Sequence, residues 1–117
     1  APFDGALAQS FVDRQLQFGP RVPGTQAHIL AGDWLIGELR ARADTVIVQE
    51  WVHTTVDGRR LPMRNILARF KPRSTDRVLY LAHWDSRPVS DKETDPALQA
   101  QGVPGANDGA SGVAILL

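Results

Sequence analysis

From Val78 to Ala82 the chain reads VLYLA without a charged residue. A strand with one face in water alternates apolar and polar side chains, so this unbroken run predicts a strand covered on both faces. Such strands lie inside sheets with helices above and below, which directs the chain toward an α/β fold with a mixed central β-sheet flanked by helices. His83 and Asp85 follow the run at once. They are therefore expected at the end of a buried central strand, the edge where open α/β sheets usually build their sites.

The chain before this run supplies elements for such a fold. From about Asp4 to Phe18, Leu7, Phe11, Leu16 and Phe18 stand among polar neighbours, predicting a short amphipathic packing helix ended by Gly19-Pro20. The link GPRVPG then combines prolines that fix φ with glycines that permit unusual angles, and Arg21 within it reads as structural rather than catalytic. Thr25 is placed to cap a second helix, in which Ala27, Leu30, Ala31, Trp34, Leu35 and Leu39 recur at three- and four-residue spacing through about Ala43. His28, alone in its first turns, reads as an ordinary surface or core-edge histidine. Residues 45–56, dense in β-branched and aromatic types, predict a strand that includes His53 as a pairing position. Asp57-Gly58 is a hairpin turn signal, and a second strand is expected from about Met63 to Phe70, with Pro62 marking a strand start or an edge.

Composition narrows the functional classes. Thirteen basic and thirteen acidic residues cancel, which leaves no electrostatic footprint for nucleic acid or an anionic membrane. With no cysteine, disulfides, thiolate zinc sites and a cysteine nucleophile are excluded, and His and carboxylates remain as the strong metal ligands. No apolar run approaches the ~20 residues of a membrane span. The small residue Ala1 would suit a terminus left by signal removal, and a periplasmic or secreted location is the corresponding expectation. The apolar ending GVAILL carries no helix stop signal and is read as a cut inside a helix, so that any site here would be incomplete.

Two clusters carry the chemistry. In His83-x-Asp85 on an extended segment both side chains point to the same side, so the carboxylate can support the imidazole, as the partners of metal-bound histidines do. Read blandly, the pair is a polar strand end. Asp108 stands between Asn107 and Gly109 at the mouth of an apolar helix that Gly109-Ala110-Ser111-Gly112-Val113 opens, where its carboxylate could ligate a dipositive ion. The bland alternative is a plain Asn-Asp-Gly turn. Residues 86–107 between the clusters show no periodicity and are rich in Asp, Pro and Gly, and loops of that length inside compact domains are commonly functional.

The segments AHWDSRP and PGANDGASGVAILL resemble the bacterial branch of the glutaminyl-peptide cyclotransferases, or glutaminyl cyclases, within the zinc aminopeptidase-like superfamily. FGPRVPGTQAH is similar to that family's Arg-x-Pro-Gly segment before a helix, RNILARFKP to its Asn-Ile-x-Ala strand, and YLAHWDS to its central strand. The resemblance implies that residues 1–117 are the N-terminal portion of a single zinc-dependent α/β catalytic domain of the zinc aminopeptidase-like, phosphorylase/hydrolase-like fold, and so an incomplete domain. It implies a zinc cofactor with Asp108 as a ligand, and a cis peptide bond at Asp108-Gly109. His83 would lie near the metal without binding it in a cyclase, or bind a second metal in an aminopeptidase, and Asp85 would orient it in both. The remaining zinc ligands and the catalytic acids of the family match nothing before Leu117.

The implied activity is that of a zinc-dependent acyltransferase acting on peptides with a free N-terminus, converting N-terminal glutamine to pyroglutamate with release of ammonia. Trp84 next to His83, and Asn-Asp-Gly around Asp108 in place of an acidic run, favour the cyclase pattern over a zinc aminopeptidase. A non-catalytic fragment or binding module is the reading from another class.

Overall fold

The computed structural model describes residues 2–117, so Ala1 and the reading placed on it lie outside the described residues. Helix α1 spans Gly5–Gln17 and helix α2 spans Gln26–Arg40. Asp4 caps α1 by accepting from Leu7 N at 2.9 Å, and Thr25 caps α2 by accepting from His28 N at 3.3 Å, which satisfies amides that a helix start leaves without partners. In α2 the buried positions His28, Ala31, Gly32, Leu35 and Ile36 follow the helical repeat. Phe11 and Phe18 meet Trp34 with ring centroids 6.2 and 6.0 Å apart and join the two helices.

Strands β1 (Thr45–Thr54) and β2 (Arg60–Arg69) form an antiparallel hairpin with Thr45 opposite Arg69 and Thr54 opposite Arg60. Gly58 turns the chain between them with φ +85, and Thr55 N donates to Arg59 O at 2.8 Å. Pro62 sits opposite Val52 in a sheet of two strands, where every strand is an edge and the missing N–H is tolerated. Helix α2 packs on the hairpin through Arg64, which pairs with Asp33 at 2.7 Å and donates to the Ile29 carbonyl at 2.7 Å. The class expected from the sequence holds: α/β, with the sheet present in this chain as the antiparallel hairpin.

The segment 78–82 differs from expectation. It forms no strand, and Val78, Leu79, Tyr80 and Leu81 are 72 to 83% exposed. A strand exists only through the ladder of its neighbours, and among the described residues β1 and β2 pair only with each other. The apolar run was therefore a true statement about burial demand that this chain alone does not meet. A cavity of about 390 Å³ lies along it, lined by Leu35, Leu39, Ile66, Tyr80 and Val113 among others. The openness shows in a radius of gyration of 15.7 Å, against roughly 13 Å for a closed domain of this length.

Residues 86–107 are mainly loop, as expected, with one short helix, α3 (Pro96–Gln99), capped by Asp95. A kinked turn, Ala106–Ser111, then leads into α4 (Gly112–Leu116). The core is where α1, α2 and this last turn meet: Phe11, Ala31, Leu35, Ile36, Ala110, Val113 and Ala114 are its buried apolar side chains.

Candidate metal-proximal site

Trp84 sets the geometry of the first cluster. Its ring stacks on His28 at 4.1 Å with planes 6° apart, and its indole N–H donates to the Arg64 carbonyl at 3.2 Å. In an extended segment the neighbours of an inward residue face the other way, so His83 and Asp85 share the open side. His83 Nδ1 lies 3.3 Å from Asp85 Oδ1 and 3.2 Å from Asp85 O. This is the supporting pair expected from His-x-Asp, although the segment is not a ladder strand.

The second cluster comes from the turn before α4. Gly105 enters it with φ +69, a left-handed angle that suits glycine, and Ala110 N closes it by donating to Gly105 O at 3.1 Å. Asp108 breaks the helical pattern with φ −107 and ψ 92, and the Asp108-Gly109 peptide bond is cis, as the resemblance implied. Asp108 Oδ1 lies 2.6 Å from His83 Nε2. The structure thus brings together His83, Asp85 and Asp108, a row of carboxylate, imidazole and carboxylate, with side chains 42 to 78% exposed.

Gly109 allows this meeting. A Cβ there would stand 2.5 Å from His83 O and 2.7 Å from His83 Nε2, and the first of these is backbone that cannot rotate away. Gly109→Ala is expected to lower stability by about 1–3 kcal/mol, the usual cost of overpacking. Equilibrium denaturation checks this.

The pKa values of His28 and His83 are shifted in opposite directions. Burial works against the charged form of His83, but its hydrogen bonds to Asp108 and the Asp85 carbonyl, with both carboxylate charges, outweigh it and raise its pKa. His28 is 3% exposed. Burial, opposed by Asp85 and assisted by Arg64, lowers its pKa. In metal-free protein, NMR titration of the ring protons is expected to show His28 losing its proton at lower pH than His83. By linkage, the stabilising effect of His83 is complete below the ordinary histidine pKa and fades as pH rises through its raised folded value. His28 destabilises the fold as pH falls below about 6.5.

For a metal, the donor chemistry fits in kind. An imidazole Nε2 and a carboxylate oxygen are both zinc donors, they converge at one point, and the Asp85 carboxylate stands behind the ring as outer partners of ligating histidines do. The set is incomplete in number. Among the described residues no group of three or more His, Cys, Asp or Glu side chains comes together.

The sequence hid one anchoring residue and the partners of another. His28, expected at the surface or core edge, is buried as the platform for Trp84, and a lone histidine in a helix carries no signal of that. Arg21 is fully buried and reaches both clusters, which its place among prolines and glycines hinted at only as a structural role.

Comparison with known proteins gives the same picture. Residues 65–117 match the model of peptidase family M28. The chain has the fold of a Zn-dependent exopeptidase from Parabacteroides distasonis, with a TM-score of 0.94 and 45% identity, covering 99% of this chain and 40% of that one. The fold is therefore of the zinc-exopeptidase-like α/β class. Within that class it resembles the bacterial glutaminyl cyclases. It is 46% identical to the Tannerella forsythia glutaminyl cyclase at a TM-score of 0.95, over 99% of this chain and 40% of that chain. It is 41% identical to the Bacteroides thetaiotaomicron glutaminyl cyclase bound to N-acetylhistamine, at a TM-score of 0.94 and with the same coverage of 99% and 40%. The chain thus spans about two fifths of the length of these relatives. No curated protein matches it.

Proposed function

We propose that the chain is the N-terminal portion of a zinc-dependent glutaminyl-peptide cyclotransferase, which converts N-terminal glutamine of peptides to pyroglutamate and releases ammonia. The observation that supports this most is the convergence of His83 and Asp108 at 2.6 Å, in a chain 46% identical to a glutaminyl cyclase. Asp108 is the zinc ligand this chain contributes. His83 lies beside the metal, and Asp85 orients its ring through Nδ1. Bound zinc would polarise the side-chain amide carbonyl of the glutamine, toward which the substrate's own α-amine is directed. The loop 86–107 forms one wall of the pocket that receives the peptide N-terminus. One ligand cannot make the three-ligand open site of a catalytic zinc, so residues 1–117 by themselves are expected to turn over no substrate.

A zinc aminopeptidase is the second reading. In it His83 would bind a second metal through Nε2, and an exopeptidase is among the similar structures. Export to the periplasm or medium belongs to the proposal, and fractionation of cells expressing the full-length protein tests it. The activity is tested by incubating that protein with a glutaminyl peptide and measuring ammonia. Release that stops on chelation and returns with zinc is expected. Ammonia release that is indifferent to chelation contradicts the zinc assignment.

A further inference from the structure

The loop that joins the two halves of the site is long and exposed, with only the short helix α3 inside it. Something else must hold His83 and Asp108 at a fixed separation. Arg21 is 0% exposed, and among the described residues its guanidinium donates only to carbonyls: from Nε to Trp84 O at 3.1 Å, from Nη2 to Gly105 O at 3.0 Å, and from Nη1 to Gln15 O and Gly19 O, each at 3.4 Å. The two shortest bonds go to the two halves of the site. Trp84 lies between His83 and Asp85, and Gly105 opens the turn that carries Asp108.

The backbone of Arg21 adds to this grip, since its carbonyl accepts from Ser86 N at 3.1 Å. Arg21 therefore holds the residue on each side of Asp85. Gly105 is shaped around the contact: a Cβ there would lie 2.9 Å from Arg21 Nη2 and 2.6 Å from the Asp108 carbonyl oxygen. Among the described residues no carboxylate pairs directly with the guanidinium. A site that needed only volume would be filled at lower cost by an apolar side chain, because a buried cation must recover its lost hydration through hydrogen bonds. The planar fork of five donors is the feature no other side chain supplies.

We infer that Arg21 is the positioning residue of the site, tying the Trp84 carbonyl to the Gly105 carbonyl so that His83 and Asp108 stand at one separation. The inference rests on the zinc-enzyme reading above. It acts through Asp108 and His83 and touches no substrate.

The test uses the full-length protein loaded with cobalt(II) in place of zinc, whose visible spectrum reports the ligand geometry. Arg21→Met and Arg21→Lys are compared with Leu35→Ala, a core truncation on α2 that is expected to lower the melting temperature and leaves every bond of Arg21 in place. Both Arg21 variants are expected to change the cobalt spectrum, to weaken metal affinity and to lower kcat on the order of 10- to 100-fold, as loss of an outer partner does, with KM little changed. Lys carries the charge but cannot span both carbonyls, so it should fail like Met. If Arg21→Met does not fold, Arg21→Lys carries the test alone. Leu35→Ala should keep the unsubstituted spectrum and kcat. An unchanged spectrum in a folded Arg21 variant overturns the positioning role while the zinc reading stands, and so does an equal change in Leu35→Ala. Unsubstituted protein that takes up no cobalt overturns the zinc reading and the inference with it.

Discussion

Asp108→Ala in the full-length protein is expected to remove most of the bound zinc and, with it, turnover. The loss should exceed the 10- to 100-fold that removal of an outer partner costs, because a direct ligand and its negative charge disappear together. The fold should survive. The Asp108 side chain is 78% exposed, and surface substitutions usually shift stability by no more than about 0.5 kcal/mol. Metal analysis after dialysis, read beside a thermal melt, separates the two effects. Asp108→Asn keeps the shape and one oxygen donor but removes the charge, so it should retain more zinc than the alanine variant and less than the unsubstituted protein. Full zinc occupancy in folded Asp108→Ala would remove Asp108 from the ligand set.

His83→Ala should behave differently. The imidazole meets Asp108 through Nε2 and Asp85 through Nδ1, so in the single-metal account it shapes the surroundings of the ligand without being one. Its truncation is expected to lower turnover by roughly 10- to 100-fold while zinc stays at one per chain. Loss of zinc in this variant, or two zinc ions per chain in the unsubstituted protein, supports the aminopeptidase reading. Asp85→Asn is the companion substitution: the amide still reaches His83 Nδ1 but no longer stabilises its charged form, so a smaller loss than that of His83→Ala is expected.

The elements the sequence revealed are those held by local rules. Asp4 and Thr25 cap helices because their side-chain oxygens reach amides three residues ahead, and Asp57-Gly58 turns the hairpin because Gly58 takes a positive φ. The pairing of His83 with Asp85 is equally local, a consequence of alternation along an extended chain. The meeting of His83 with Asp108 is not local, and spacing alone left both residues with bland readings until the resemblance joined them. Arg21 and His28 were hidden for a similar reason. Their roles come from contacts made across the chain to Gly105 and to Trp84, and no periodicity encodes those. The run Val78–Ala82 shows the opposite case: its composition states a demand for cover on both faces, but a ladder needs partner strands, and among the described residues β1 and β2 pair only with each other.

The product made from a peptide with N-terminal glutamine separates the two activities most directly. Mass spectrometry of such a peptide after incubation with the full-length zinc-loaded protein is expected to show the intact chain lighter by one ammonia, with no residue removed. A peptide shortened by its first residue, with free glutamine in solution, would contradict the cyclase and establish the aminopeptidase in its place.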